Sequence, residues 1–130
     1  MSVKPCIQAM WLADEVTCDE ATGKVTVRGL FNQIYAAPPA KVFDAPAYLF
    51  FGLTGVHGEV RLRLCYADLS TNRILIERPV VVSHTDPLAL TDVVIRLSRM
   101  PIPHSGVYAW ELYFDGELLG ISRVNAFADS

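Results

Sequence analysis

The pair His84 and Asp86 lies in the segment Ser-His-Thr-Asp and is the pattern in this chain most similar to half of a metal site. Imidazole and carboxylate groups both bind divalent cations, but a zinc site needs three or four ligands that converge. The other histidines, His57 and His104, lie far away in predicted loops. The competing interpretation is a polar loop in which Asp86 accepts hydrogen bonds from nearby backbone before Pro87.

One hypothesis that follows is a small-ligand or metal-dependent enzyme with its site in the end loops. His84, Asp86 and His104 are its candidate residues, and loss of bound metal on His84→Ala would support it. The sequence contains no GxSxG, no HExxH and no glycine-rich phosphate loop. It therefore assigns no catalytic residue and no cofactor.

Two further chemistries are weaker. Cys65 is predicted on a polar strand face beside Arg61 and Arg63, whose charges would lower a thiol pKa, but no base for a nucleophile is evident. Calcium sites collect six to eight oxygen ligands in loops, and acidic residues do cluster around the first predicted loop, with a solvated acidic loop as the alternative; they are Asp14, Glu15, Asp19 and Glu20.

Composition limits the function classes. The 130 residues fit one domain, 1–130, and a 52% apolar composition with a mean hydropathy of +0.29 indicates a large core or apolar surface covered by a partner. Net charge is −3 without a long basic run, which disfavours nucleic-acid binding. No apolar stretch is long enough for a transmembrane helix. Three cysteines without CxxC spacing favour a reducing, cytoplasmic location.

The elements that must position these residues are strands, because apolar residues recur with a period of two. Asp115-Gly116 predicts a type I′ hairpin turn, and Pro79 places its strand at an edge or a bulge. The pattern predicts an all-β antiparallel β-sandwich of seven to eight strands, of the immunoglobulin-like or Greek-key type. The predicted strands are 5–13, 24–35, 47–54, 59–67, 74–82, 88–97, 106–114 and 117–127, with 47–54 central because both of its faces are apolar.

Strand alternation predicts which side chains point outward. In the strand 106–114, Tyr108 and Trp110 share the core face, and Val107 and Tyr113 share the opposite face. An outer face with these residues would be an interaction patch. The alternative is that the proline-rich connection 36–46 covers it.

The approach to Tyr108 is similar to that of a late strand in immunoglobulin-like sandwiches, in which a tyrosine caps the corner by bonding to upstream backbone. The position two residues later, a cysteine in true immunoglobulin domains, is Trp110 here. The resemblance is therefore architectural and implies no function.

The chain also resembles a family of short bacterial proteins known only as a domain of unknown function. The likeness covers most of the chain, and the resemblance implies a β-sandwich and no catalytic residue. It rests on Asp14-Glu15, on Thr22 to Val25, on Gly29-Leu30-Phe31 with Ile34, on the spacing of Pro103, Gly106, Tyr108 and Leu112, and on the hairpin Asp115 to Gly120.

The leading hypothesis is a non-enzymatic, cytoplasmic binding or assembly module that acts through an outer sheet face or a sheet edge. Its partner is a protein or a second copy of the chain, as a homo-oligomer, without nucleic acid or membrane. The candidate interaction residues are Tyr113, Val107, Arg61 and Arg63. A carbohydrate-binding sandwich with Trp11 as its aromatic platform ranks last.

Overall fold

The computed structural model describes residues 4–37, 39–86 and 88–128. Two sheets pack face to face, one of four strands in the order β2-β1-β5-β8 and one of five in the order β3-β11-β10-β6-β7, and β4 and β9 form a separate pair. The strands are β1 (Cys6–Cys18), β2 (Val25–Leu30), β3 (Gln33–Tyr35), β4 (Val42–Phe43), β5 (Ala47–Thr54), β6 (Gly58–Asp68), β7 (Arg73–His84), β8 (Thr91–Leu97), β9 (Met100–Pro101), β10 (Gly106–Phe114) and β11 (Glu117–Phe127).

The core lies between the two sheets, because alternate residues of each long strand point inward. Leu12, Phe51, Leu64 and Leu112 are among its fully buried members. β5 is central, flanked by β1 and β8, and six of its eight residues are buried. Its apolar character on both faces follows from that position, as the sequence predicted.

The predicted all-β sandwich is confirmed, but the described residues form eleven strands rather than seven or eight. The additional strands, β3, β4 and β9, have two or three residues each and are too short for a visible alternation. The predicted strand 24–35 is two strands in different sheets, since β2 pairs with β1 and β3 pairs in parallel with β11. The backbone changes sheets between Phe31, which donates to Leu12, and Asn32, which accepts from Asn125.

The first loop begins later than predicted. β1 continues through Asp14 and Glu15 to Cys18 and pairs with β2 over that length, so these two acidic residues lie in a strand. The turn starts at Asp19, whose carboxylate accepts hydrogen bonds from the backbone of Ala21 and Thr22. The acidic cluster is therefore a strand end and an Asx turn rather than one loop.

Two sequence signals are confirmed in the second sheet. Asp115 and Gly116 both have positive φ, 51° and 82°, as a type I′ turn requires. The strand with Pro79 is the edge strand β7, where a missing backbone donor is tolerated. Pro38, in the predicted crossover, and Pro87 lie outside the described residues. Within the part of the chain that the structure describes, no helix is long and apolar enough to cross a membrane.

Candidate functional site

The structure places the candidate metal residues at opposite ends of the five-stranded sheet. His84 pairs with Gly58 at the start of β6, whereas His104 contacts Asp68 at the end of β6. A strand of this length spans about 30 Å. His84 and Asp86 therefore do not share a site with His104, which corrects the expectation that all three act together.

His84 and Asp86 accept hydrogen bonds from the backbone of their own turn. The backbone N–H of Asp86 donates to Nδ1 of His84 at 3.0 Å, and the backbone N–H of Leu88 donates to the Asp86 carboxylate at 2.9 Å. This is the polar-loop interpretation of the segment. Among the residues with described placement, no three His, Cys, Asp or Glu side chains converge as ligands would.

His104 instead belongs to a cluster that the sequence did not predict. Its Nε2 lies 2.5 Å from Oδ2 of Asp68, and its Nδ1 lies 2.9 Å from the carbonyl oxygen of Ser105. The hydroxyl of Ser70 donates to the other carboxylate oxygen of Asp68 at 2.8 Å. The Asp68 side chain is 4% exposed and that of His104 is 42% exposed. The cluster therefore joins a buried carboxylate to a half-exposed imidazole.

The two acceptors determine the charge of His104. A carbonyl oxygen and a carboxylate only accept hydrogen bonds, so both ring nitrogens can donate at the same time only when the ring is an imidazolium. The Ser105 carbonyl and the Asp68 carboxylate raise the pKa of His104 above its usual value. Burial opposes ionisation of Asp68, but hydrogen bonds from Ser70 and His104 keep the pKa of that carboxyl below its usual value.

Ser70, His104 and Asp68 have the residue types of a catalytic triad without its connectivity. In a triad the histidine has a free nitrogen that accepts the serine proton, while the aspartate binds the other nitrogen. Here Asp68 binds both the histidine and the serine hydroxyl, Ser70 Oγ lies 3.5 Å from the same Nε2 that Asp68 contacts, and both ring nitrogens already have acceptors. The geometry fits a structural ion pair at the end of the sheet rather than an activated nucleophile.

The corner before β10 positions this cluster. The Tyr108 hydroxyl donates to the carbonyl oxygen of His104 at 2.6 Å and accepts from its N–H at 3.3 Å. The tyrosine cap predicted from the sequence is thereby confirmed. The Tyr108 ring also stacks on Tyr66, whose hydroxyl donates to the carbonyl oxygen of Pro101. The contact between His104 and Asp68 could not be predicted from a local pattern, because the two residues are 36 positions apart in sequence.

Cys65 is fully buried, although its strand alternation predicted an exposed position. It does point to the outer face of the five-stranded sheet, opposite Glu111 and Glu77, but longer side chains around it exclude solvent. Burial raises the pKa of its thiol, and the charge of Arg63 only partly offsets that effect. A buried, protonated thiol is the opposite of an activated nucleophile.

The candidate interaction residues do share the outer face of the five-stranded sheet. Tyr113 lies directly opposite Arg63, whose guanidinium is 4.9 Å from the centre of the Tyr113 ring. The Tyr113 hydroxyl donates to Glu111 at 3.1 Å, and Arg63 pairs with Glu77 at 3.5 Å. Arg61, two residues along β6, pairs with Glu59 at 3.4 Å. Val107 lies towards the other end of β10 and is 39% exposed.

The outer face of the five-stranded sheet carries most of the exposed large hydrophobic side chains. Twelve large hydrophobic side chains are exposed among the described residues, and the strand registers place seven of them here: Tyr35, Ile74, Val81, Val107, Leu118, Ile121 and Phe127. The connection proposed as a cover is elsewhere, since β4 pairs with β9 and Ile102 donates to Lys41. Large apolar side chains therefore occupy strand positions that usually face water.

The sequence of residues 8–125 matches the model of a family of unknown function, DUF6941. The chain belongs to this family. A search of curated proteins finds no match for this DUF6941 chain. Among solved structures, it is similar to an immunoglobulin-like protein from Pseudomonas aeruginosa at 14% sequence identity, with 96% of this chain and 98% of that chain covered and a TM-score of 0.53. At that identity the similarity shows the immunoglobulin-like fold alone.

Trp11 of this DUF6941 chain lies on the other sheet. Its ring stacks on Phe50 at a centroid distance of 6.1 Å and lines a surface groove of about 280 Å³ that also includes Leu30, Asn32 and Arg123. The indole is half-exposed, as an aromatic platform would need, and Phe31 is the other aromatic residue that lines the groove.

Proposed function

We propose that this DUF6941 chain is a non-enzymatic binding module of a reducing cytoplasm that contacts a protein partner through the outer face of its five-stranded sheet. One observation supports this most strongly: seven exposed large hydrophobic side chains lie on that face, around Tyr113 and Val107. A single sandwich normally keeps its outer faces polar. Exposed large apolar side chains in this number on one face are typical of a site that a partner covers.

The charges on the face favour a protein over a nucleic acid. Strand positions there include three arginines and three glutamates: Arg61, Arg63, Arg123, Glu59, Glu77 and Glu111. Arg61 and Arg63 each bind a glutamate of the same face. Nucleic-acid surfaces need unpaired basic groups, whereas tyrosine and arginine among aliphatic residues are typical of protein interfaces.

The non-enzymatic part of the proposal is supported by the His104 cluster. General-base chemistry requires a nitrogen or carboxylate oxygen that can take a proton from a substrate. Both nitrogens of His104 donate to protein acceptors, and Asp68 is buried and accepts from Ser70 and His104. The cluster stabilises the corner and offers a substrate no free base.

Affinity capture from a lysate of the source organism tests the proposal. The baits are the tagged wild-type chain, Tyr113→Glu, Val107→Glu and, as a matched control, Leu30→Glu. Leu30 is also exposed but lies on the other sheet. Each new carboxylate is placed in an apolar surface, so the control separates loss of one interface from general loss of apolar surface. Circular dichroism first establishes that every variant is folded.

The expected result is a protein that co-purifies with the wild-type chain and Leu30→Glu and is lost with both variants of the Tyr113 face. Purified partner and chain should then protect Ile121 and Val107 amides from hydrogen exchange. Capture that is equal for all four baits, or lost only with Leu30→Glu, contradicts the proposal.

A further inference from the structure

The edge of the four-stranded sheet at β8 is open in the described residues. β8 (Thr91–Leu97) hydrogen-bonds to β5 on one side, and no described strand pairs with its other side. Its second row of backbone N–H and C=O groups is therefore available to another strand. Exposed edges of this kind pair with other chains unless the sequence protects them.

The other edges have such protection. β7 contains Pro79 and a register irregularity, β3 has three residues, and β2 contains Gly29 with a φ of +71°. β8 has seven residues, pairs with β5 in unbroken register, and contains no proline, glycine or lysine. Among the described edge strands of the four-stranded and five-stranded sheets, β8 is therefore the one with which a further strand can pair most regularly.

The sequence of β8, Thr-Asp-Val-Val-Ile-Arg-Leu, is complementary to itself when reversed. Asp92, Val94 and Arg96 are exposed and alternate along one face. In an antiparallel pair of two β8 strands centred on Val94, Asp92 of each copy lies opposite Arg96 of the other, and the two Val94 side chains meet. Opposite charges and apolar pairs at directly opposed positions both stabilise a sheet.

Other registers lack this match. A register that keeps both cores on the same side of the joined sheet must be centred on a residue, because a one-residue slip reverses the faces. Centring on Val93 opposes Asp92 to Val94, and centring on Ile95 opposes Val94 to Arg96. Centring on Asp92 or Arg96 brings like charges together, which destabilises the pair.

The apolar residues on the outer face of the four-stranded sheet also favour pairing centred on Val94. Trp11, Phe50 and Val94 are direct neighbours across β1, β5 and β8, and Trp11 and Val94 are 46% and 43% exposed. Pairing through β8 joins the two rows at their Val94 ends. The result is one continuous eight-stranded sheet with an unbroken apolar row across the two-fold axis.

We propose that two copies of this chain associate through antiparallel pairing of β8 in a two-fold dimer centred on Val94. The contact lies on the four-stranded sheet, whereas the partner surface proposed above lies on the five-stranded sheet. The dimer would therefore present two copies of the Tyr113 face at once. The two proposals use different residues and fail separately.

Charge reversal tests the register directly. Sedimentation equilibrium of the full chain is compared for the wild type, Asp92→Arg, Arg96→Asp and the double variant with both changes. Each single reversal replaces two attractive pairs with two repulsive ones, so the dimer dissociation constant should rise at least about tenfold. The double variant restores opposite charges at the same positions and should return to within about threefold of the wild type.

Two further variants distinguish this contact from others. Val94→Lys places a protective charge at the centre of the edge and should give a monomer, whereas Tyr113→Glu should leave the dimer unchanged. A wild-type chain that is monomeric at every concentration overturns the dimer. A dimer that is indifferent to both single reversals, or that the double variant does not restore, overturns the β8 register even if partner capture through the Tyr113 face succeeds.

Discussion

The imidazole of His104 donates to the buried carboxylate of Asp68 across 2.5 Å, although the two residues are 36 positions apart. The second ring nitrogen lies 2.9 Å from the Ser105 carbonyl oxygen, so both contacts favour the charged form of the ring and raise its pKa. This contact fixes the loop before β10 to the end of β6. It also accounts for a histidine that the sequence marked as a possible ligand.

Stability should depend on pH through this pair. Folding raises the pKa of His104 above 6.5, so its stabilisation is complete below that value and is lost as pH rises through the folded pKa. Folding lowers the pKa of Asp68 below 3.8, so its contribution is complete above that value and is lost as pH falls through the folded pKa. The contribution of the pair is therefore greatest between these two values.

Urea unfolding measures this dependence. The free energy of unfolding of the wild type should fall as pH rises above about 6.5 and through the folded pKa of His104. His104→Gln should remove that fall, whereas Asp68→Asn should remove only part of it, because the Ser105 carbonyl still raises the pKa of His104. The double variant should remove no more than His104→Gln alone, since His104 is the group that titrates in this range. An unchanged pH dependence in His104→Gln would exclude the pair as its source.

Tyr108→Phe should destabilise the corner. The substitution removes the hydroxyl that binds both the carbonyl oxygen and the N–H of His104, and it leaves those groups without their partner. We expect a loss of roughly 1–2 kcal/mol in the free energy of unfolding. Tyr35→Phe, which removes an exposed hydroxyl bound to Gln33, is the control and should change stability by less than about 0.5 kcal/mol. Equal effects would contradict the role of the corner.

Thiol labelling should distinguish the cysteines. Cys6 and Cys18 are exposed and Cys65 is buried with a raised pKa. In the native protein, a thiol reagent should modify two thiols rapidly and the third only at the rate of unfolding. The rate for the third thiol is measured with and without urea. Three equal native rates would show that Cys65 is reachable from the outer face.

Gly120→Ala should disturb the contact between the two sheets at β1 and β11. A methyl group at Gly120 would overlap Cδ1 of Ile7 and lie 3.3 Å from the sulfur of Met10. Because the overlapping atom is the end of the Ile7 side chain, which can rotate away, we expect the cost of a strained rotamer, about 0.5–1.5 kcal/mol. Ile7→Val removes the overlapping carbon, so the double variant should recover part of the loss in a thermal unfolding experiment. Destabilisation without any recovery would place its cause elsewhere.

Strand prediction succeeded where a local rule applied. The turn at Asp115-Gly116, the central position of β5 and the tyrosine cap at Tyr108 each follow from residue types within a few positions. Strand prediction failed where the sheet to which a segment belongs depended on the strand that it pairs with. The segment around Phe31 continues the alternation of β2 without a break, yet its backbone leaves one sheet for the other.

The candidate site shows the same division. Alternation pointed Tyr113 and Val107 outward on one strand and Arg61 and Arg63 outward on another, and the strand registers bring all four onto one face. Alternation could not show that Cys65, on the same face, is buried by side chains from neighbouring strands. We also expected His104 and His84 to act together, because both lie in predicted loops. The sequence does not show which loops lie at the same end of the sandwich.

The sequence by itself determined that this chain forms strands, where several of its turns lie and which side of each long strand is apolar, because these properties depend on residues close together in the chain. Only the tertiary structure decided the strand order. That order brought Asp68 to His104, left β8 at an open edge and gathered seven apolar side chains on one outer face. The physical reason is that strand pairing joins backbone groups far apart in sequence, and alternation with a period of two is the same whichever strand lies alongside.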